Sequence, residues 1–245
     1  MLTQKLLEFE DEVKNMADKL TLATIDLYKA IVAKFLPTPT KIHYLFNLRD
    51  ISKIYQGLLR SDKVYHDTRT VMLRLWIHET FRVFSDRLIN DKDRATFIEV
   101  LGDRLAAYFD QTFHNLCPSR CSPIFTDILS QDAIYEDAQD LDKLRDRFNS
   151  ILEVYNSTPG MIRSDLVLFK DAMEHICKIM RVIGQPRGNM LLVGVGGSGR
   201  QSLSRLGAFI CEYRTFQIEV TKHYKRADFR EGMFLSVYGY SFGSL

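Results

Sequence analysis

The chain has 245 residues, 46% of them hydrophobic and 26% charged, a composition that argues against disorder and favours a globular fold. Its 33 basic and 31 acidic residues leave a net charge of +2, which excludes a strong overall field for nucleic acid or an anionic membrane. We therefore expect no nucleic-acid partner and no membrane partner.

The first fifteen residues lack the pattern of a secretory signal, because acidic side chains such as Glu8 and Glu12 lie among the apolar positions. The longest apolar runs fall far short of the roughly 20 residues needed to cross a bilayer. The four cysteines are therefore expected to be reduced thiols in the cytoplasm rather than a disulfide framework.

One cysteine pair has a spacing that is found in some metal sites. His114, Cys117 and Cys121 form an H-x-x-C-x-x-x-C pattern. A structural zinc site needs four ligands, and no second Cys/His pair follows nearby. We predict no metal site here.

The first predicted element is a long amphipathic helix over residues 6–27. Its apolar residues alternate at spacings of three and four, which places them on one face of a helix: Leu6, Phe9, Val13, Met16, Leu20, Ala23 and Leu27. The pattern fits both a coiled coil and a core-facing bundle helix, and we favour the bundle. Pro37 and Pro39 end the helix, since proline lacks an amide proton.

Helical patterns continue along the first 155 residues. A short amphipathic segment covers residues 51–59, and two longer helices follow with apolar faces that we expect to be core. The faces consist of Leu73, Trp76, Ile77, Phe81, Phe84 and Leu88, and of Phe97, Leu101, Leu105 and Tyr108. Residues 116–125 are predicted to be a loop because Pro118, Ser122 and Pro123 interrupt the rhythm. A polar helix follows over residues 132–152.

A cluster of turn-forming residues at 156–160 (NSTPG) predicts a domain boundary. Beyond it we predict an apolar helix over residues 166–183 and a buried strand over residues 190–195. A glycine-rich loop, a helix over residues 201–213 and a second strand over residues 215–220 complete the order. This part reads as the beginning of an α/β domain.

The loop of residues 194–202 (GVGGSGRQS) lies between the predicted strand and helix. Free amides at a helix start can hold a phosphate, and glycines let the backbone approach it closely. A tight turn that binds no ligand would also use glycine. The position of the loop nevertheless favours a phosphate site.

Two nucleotide motifs overlap on this loop. Gly194, Gly196 and Gly199 fit the dinucleotide fingerprint G-x-G-x-x-G, and Glu219 follows about 20 residues later, where an acidic residue would contact a ribose. Gly194 and Gly199 also have the spacing of a P-loop. The residues alone leave both interpretations open.

As a P-loop the sequence is degenerate, because Arg200 replaces the usual lysine and Gln201 the usual serine or threonine. Arg200 keeps the positive charge but places it differently. Gln201 lacks the hydroxyl that ligates magnesium, and Ser202 points about 100° further round the helix. No acidic pair after a later apolar strand is present. We expect no fast hydrolysis, and enzymatic activity stays an open question.

Several separated segments resemble axonemal dynein heavy chains. Residues 188–203 (GNMLLVGVGGSGRQSL) are similar to the start of the fourth AAA+ module of that family, and residues 36–50 (LPTPTKIHYLFNLRD) to the segment leading into the lid of the third. Residues 75–79 (LWIHE) and 84–88 (FSDRL) look like the following lid helix. The segments occur in the right order across residues 20–232.

The resemblance implies a helical lid region over residues 1–155, the N-terminal half of an AAA+ P-loop domain over 156–232, and a divergent tail over 233–245. It implies that ATP or ADP, with or without magnesium, binds the loop formed by Gly194, Val195, Gly196, Gly197, Ser198, Gly199, Arg200, Gln201 and Ser202. Arg49 would be a sensor arginine facing the nucleotide of the preceding module. A surface ion pair is the alternative role for Arg49.

The implied function is that of a fragment or short isoform of an ATP-driven, minus-end-directed microtubule motor, itself not hydrolytic. Its partners would be other AAA+ modules and dynein chains, and microtubules through the complete motor. The implied location is the cytoplasm, cytoskeleton and ciliary axoneme. Two alternatives remain: a Rossmann-type dinucleotide-binding protein, and a helical interaction module without a ligand.

Overall fold

The computed structural model describes residues 2–118, 121–218 and 224–238, with side chains as far as residue 232. Its helices in chain order are α1 (Leu2–Lys5), α2 (Asp11–Lys14), α3 (Ala17–Lys34), α4 (Leu48–Leu58), α5 (Lys63–His66), α6 (Arg69–Val83), α7 (Asp91–Phe109), α8 (Phe113–Leu116), α9 (Leu141–Ser157), α10 (Lys170–Ile183), α11 (Arg200–Ile210) and α12 (Arg226–Tyr238). Two 3₁₀ turns, Leu6–Glu8 and Ser85–Arg87, accompany them. Strands β1 (Phe125–Thr126) and β2 (Glu136–Asp137) pair antiparallel, with Phe125 opposite Asp137.

The predicted stripe of residues 6–27 is buried along its whole length, but the helix that was predicted to carry it is not continuous. The backbone is extended at Phe9, and Glu10 is the N-cap of α2, with its amide donating to Asp67 Oδ1 at 2.7 Å. A second break at residues 15–16 precedes α3. The prediction of one long helix is therefore wrong, because short turns place the same side chains in the core.

Helix α3 packs against α7 and belongs to a bundle, as the sequence pattern favoured. Its buried Thr24 accepts a hydrogen bond from Trp76 Nε1 on α6 at 2.9 Å. The apolar faces of α3, α6 and α7 join residues from Leu2 to Tyr135 in one hydrophobic cluster. We call this cluster the first core.

Helices α4 and α6 approach closely at Gly57. A Cβ atom on Gly57 would overlap the Cδ atom of Glu79 on α6, so only glycine fits there without movement. The start of α4 is fixed by a capping box, in which the Asn47 side chain and the Asp50 carboxylate bond each other's backbone amides.

A second hydrophobic cluster, the second core, is built by α9, α10 and α11 with residues from the β1 region. It draws residues from both sides of the predicted boundary at 156–160: Phe148 and Tyr155 precede it, and Met173 and Leu206 follow it. Helix α9 begins at Leu141 and not near residue 132, because the hairpin of β1 and β2 occupies the preceding residues. Asp140 caps α9 by accepting from the amides of Asp142 and Lys143.

A buried charged network connects α6 of the first core to α10 of the second. The Arg181 guanidinium donates to Glu79, with Nε 3.0 Å from Oε2, and both side chains are buried. Burial lowers the pKa of Arg181, but the charge and hydrogen bonds of Glu79 outweigh this effect and raise it above its ordinary value. The Tyr135 hydroxyl lies 3.2 Å from Glu79 Oε1 and 2.9 Å from His78 Nε2.

A more accessible group of charges extends the same connection. Arg82 on α6 contacts Glu174 on α10 at 3.2 Å, and Lys178 contacts both Glu174 at 3.0 Å and Asp86 at 3.2 Å. Glu174 is half-buried; burial raises its pKa, but the charges of Lys178 and Arg82 outweigh this and hold it below its usual value. Two charged groups therefore connect the cores at α6 and α10.

The predicted strand over residues 190–195 is not present, and this prediction is wrong. Its apolar side chains are exposed, including Leu191 at 86% and Val193 at 85%. A strand needs a neighbour to pair its backbone groups, and no strand lies beside this segment in the described part of the chain. Residues 215–218 form no strand either, and residues 219 and 220 lie outside the described residues.

Across the described ranges, we find no helix with the length and apolar character that a bilayer crossing requires.

Candidate nucleotide-binding loop

Helix α11 positions the loop, and α11 itself packs closely against α10. Leu203 and Leu206 are buried in the second core, and Gly207 faces Ile179 on α10. A Cβ on Gly207 would lie 2.9 Å from Ile179 Cγ2, so glycine permits the two helices to pack at this distance. The amino end of α11 is held in place by this packing.

The loop itself curls through two glycines with positive φ. Gly197 and Gly199 both have φ of +78°, and Gly199 is the N-cap of α11. The Ser198 amide donates to the Val195 carbonyl at 3.3 Å and closes the turn. The first amides of α11 have no acceptor within the helix, so they remain available to an anion.

Arg200 folds back over the loop. Its Nη2 atom donates to the Val195 carbonyl oxygen at 3.1 Å. A Cβ on Gly194 would lie 3.5 Å from Arg200 Cδ and 2.9 Å from Ser198 Oγ, so the absence of a side chain at Gly194 makes room for both. The guanidinium therefore lies against the loop backbone, with further N–H donors left to bind a phosphate.

The structure brings residues 194–200 together in one turn. The next two side chains, those of Gln201 and Ser202, make no hydrogen bond within this turn. The Gln201 side chain is exposed and makes no hydrogen bond with a described residue. Ser202 is half-buried. The hydroxyl of Ser204, one turn further, donates to the Arg200 carbonyl at 2.7 Å.

Arg49 is exposed near the start of α4, where its backbone amide donates to Asn47 Oδ1 at 2.9 Å. Its guanidinium forms no ion pair with a carboxylate of the described residues, and no described hydrogen bond connects it to the loop. The alternative role of Arg49 in a surface ion pair is therefore not observed in this part of the chain. Its role as a sensor arginine stays a prediction.

The residues of the H-x-x-C-x-x-x-C pattern have different environments. Burial raises the pKa of Cys117 to about 11, whereas Cys121 is exposed and lies 3.3 Å from Lys170 Nζ. Within the described residues there is no group of three or more His, Cys, Asp or Glu side chains that could hold a metal ion. Glu219, the acidic residue of the dinucleotide motif, lies outside the described residues.

The residues that fix the position of α11, and with it the loop, were not predicted from the sequence. Gly207 and Ile179 set the distance between α11 and α10, and Arg181 ties α10 to Glu79. A glycine inside an apolar helical pattern was the one available signal for the first contact. Glu79 and Arg181 are 102 positions apart, and no local pattern predicts such a pairing.

Comparison with known families agrees with this arrangement. A family model described as the P-loop-containing dynein motor region D4 matches residues 164–238, which include the loop. A model described as an AAA+ lid domain matches residues 20–117. The predicted fold class, a mainly helical lid region followed by part of an α/β P-loop domain, is confirmed.

Individual relatives match nearly the whole chain. Dynein axonemal heavy chain 2 of Homo sapiens is 57% identical over 231 residues, covering 94% of this chain and 5% of the relative. The dynein-1-beta heavy chain of the flagellar inner arm I1 complex of Chlamydomonas reinhardtii is 42% identical over 238 residues, covering 95% of this chain and 5% of that protein.

Dynein axonemal heavy chain 1 of Homo sapiens is 42% identical over 223 residues, covering 89% of this chain and 5% of the relative. The chain thus spans about one twentieth of the length of these relatives. Neither the dinucleotide-binding alternative nor the ligand-free helical module has support among the matches. Because the matches run through the lid helices and the glycine loop in order, the chain belongs to the dynein heavy-chain family.

Proposed function

We propose that this chain is the nucleotide-binding part of an ATP-driven, minus-end-directed microtubule motor, and that by itself it does not hydrolyse ATP. The observation that carries the proposal is the open glycine loop at the amino end of α11, with Arg200 directed onto it. Backbone amides and a guanidinium in this arrangement favour a phosphate group. ATP or ADP is the proposed ligand, held by residues 194–202.

The wider role follows from the relatives. The matched proteins are named as axonemal or flagellar dyneins, so we place this chain in the cytoskeleton of the ciliary axoneme. We propose other AAA+ modules and dynein chains as its direct partners, and microtubules as the track of the complete motor. Arg49, exposed and without an ion pair among the described residues, is proposed as a sensor arginine for the nucleotide of the preceding module.

Hydrolysis is not expected, because Gln201 lacks a hydroxyl for magnesium. We keep the division into residues 1–155, 156–232 and 233–245 as a proposal for the domain organisation. The second core shows that α9 contributes to the packing behind the loop, on the N-terminal side of that division.

Binding of fluorescent ADP, ATP and NAD to the full 245-residue chain tests the proposal. Arg200→Ala should weaken adenine nucleotide binding by about 10- to 100-fold, the range expected for a lost charge-assisted hydrogen bond. Arg205→Ala removes one positive charge from the same helix, where Arg205 bonds Gln217, and should leave binding unchanged. Preference for NAD, equal loss in both variants, or magnesium-dependent ATP turnover would contradict the proposal.

A further inference from the structure

Magnesium is the partner that the P-loop family implies for the terminal phosphates, and the residues of this loop do not fit it. The family places a hydroxyl at the second helical position to ligate the ion. Here that position is Gln201, whose exposed amide has no hydrogen-bonded neighbour among the described residues to orient it. Magnesium demands near-ideal octahedral geometry and loses its water reluctantly, so a neutral, unoriented amide is a poor ligand.

The nearby hydroxyls do not replace the missing one. Ser202 lies one residue further, about 100° round the helix, and is half-buried. The Ser204 hydroxyl is already bonded to the Arg200 carbonyl. Ser198 lies on the other side of the loop, against Gly194. No described acidic cluster could supply the remaining ligands.

Arg200 can supply the positive charge directly. Its guanidinium is held against the loop by the Val195 carbonyl, and the planar fork leaves donors that match two phosphate oxygens at once. One guanidinium and the amino end of one helix offset the charge of two phosphates better than that of three. The third phosphate is the one whose charge magnesium usually neutralises.

We infer that the loop binds the phosphates of a nucleoside diphosphate without magnesium, with Arg200 in the place of the metal as the counter-charge. This inference rests on the proposed function of the same loop. Magnesium chelates ATP more strongly than ADP in solution, so added magnesium withdraws the triphosphate from a loop that does not hold the ion. The loop therefore favours the diphosphate whenever magnesium is present.

Calorimetric titration of the 245-residue chain with ADP and with ATP, in EDTA and in excess magnesium, tests this inference. ADP should bind no more tightly in excess magnesium than in EDTA, added magnesium should weaken ATP binding more than ADP binding, and ATP with magnesium should bind no more tightly than ADP. Arg200→Lys should weaken ADP binding in EDTA by about tenfold, because an ammonium cannot form the paired contact. Gln201→Thr should introduce tighter ATP binding in magnesium than in EDTA. Circular dichroism checks that both variants fold.

The outcomes separate the two proposals. ADP binding that tightens tenfold or more on adding magnesium, or a Gln201→Thr variant without any magnesium effect, overturns the metal-free inference and leaves nucleotide binding standing. Arg205→Ala should behave as the unchanged chain in both buffers. A chain that binds no nucleotide in either buffer overturns the proposed function, and the inference with it.

Discussion

Two imidazoles in the first core are neutral in the folded chain. His66 and His78 are buried, and both rings contact Phe125, with centroids 6.0 and 5.3 Å away. Burial lowers the pKa of His66 from 6.5 to about 4 and that of His78 well below its ordinary value. His78 is therefore uncharged although it lies 3.9 Å from Glu79.

These lowered pKa values predict loss of stability in acid. Below pH 6.5 the unfolded chain binds protons that the folded chain excludes, so the free energy of unfolding is fully retained above pH 6.5 and falls as the pH decreases towards 4. The loss by pH 5 should be about 2 kcal/mol for each histidine. Urea unfolding at pH 7, 6 and 5 measures it.

His66→Phe separates the contribution of one imidazole from that of the other. Phenylalanine keeps an aromatic ring against Phe125 but cannot be protonated. The variant should lose stability about half as steeply between pH 6.5 and 5 as the unchanged chain. An identical slope in both proteins would show that His66 has no part in the acid response.

At the scale of the helices, glycines that look alike in the sequence have opposite roles. Gly102 lies within α7 with no atom near its missing Cβ, whereas the missing Cβ of Gly207 on α11 would meet Ile179. Alanine in a helix interior is favoured over glycine by about 1 kcal/mol where space allows. Only Gly102 offers that space.

Gly102→Ala should therefore raise the free energy of unfolding by about 0.5 to 1 kcal/mol. Gly207→Ala should not stabilise the chain, because Ile179 is β-branched and cannot turn its methyl group aside without cost. Thermal unfolding of the two variants compares them directly. Equal stabilisation by both alanines would mean that Ile179 leaves room for a methyl group beside Gly207.

The helical elements show what periodicity can and cannot predict. The apolar faces around Leu73 and Leu101 predicted α6 and α7, because residues three and four apart share one side of a helix. Periodicity could not show the breaks near Phe9 and Met16, since both side chains remain buried across the turns. The apolar run at 190–195 predicted a buried strand, but burial depends on neighbouring strands that a local pattern does not contain.

At the scale of the whole chain, the connection between α6 and α10 should make the two cores unfold together. Glu79 and Arg181 are buried at the junction, and Arg82, Glu174 and Lys178 form a second group of ion pairs between the same parts of the chain. Removing one partner of a buried pair leaves an uncompensated charge, at a cost of about 3 to 5 kcal/mol. We expect one calorimetric transition for the unchanged chain.

Arg181→Met should lower the free energy of unfolding by that amount and separate the transition into two. The double variant Glu79→Met with Arg181→Met should recover much of the loss, because no buried charge remains. Arg145→Met removes a pair with Asp142 that is largely exposed, so it should cost less than about 1 kcal/mol. Equal losses in the single and double variants would argue against the buried pair as the connection.

The nucleotide loop could be located from its glycines, but the choice between two motifs could not be made from them. The spacing of Gly194, Gly196 and Gly199 satisfies both motifs, and only the surrounding segments resembled one family. The fold-back of Arg200 onto Val195 depends on backbone angles at Gly197 and Gly199. A residue pattern identifies glycines without giving those angles.

The Tyr135 hydroxyl has two neighbours but a single hydrogen atom. The Pro123 carbonyl, 2.7 Å from His78 Nδ1, can only accept, so that nitrogen carries the proton of the neutral ring and Nε2 has a bare lone pair. Glu79 Oε1, 3.2 Å away, and His78 Nε2, 2.9 Å away, both accept from the one Tyr135 hydrogen, and Arg181 donates to Glu79 in either case. Replacing Tyr135 with phenylalanine would thus leave His78 Nε2 without a hydrogen-bond partner, while Glu79 on the same helix would keep the hydrogen bonds from Arg181.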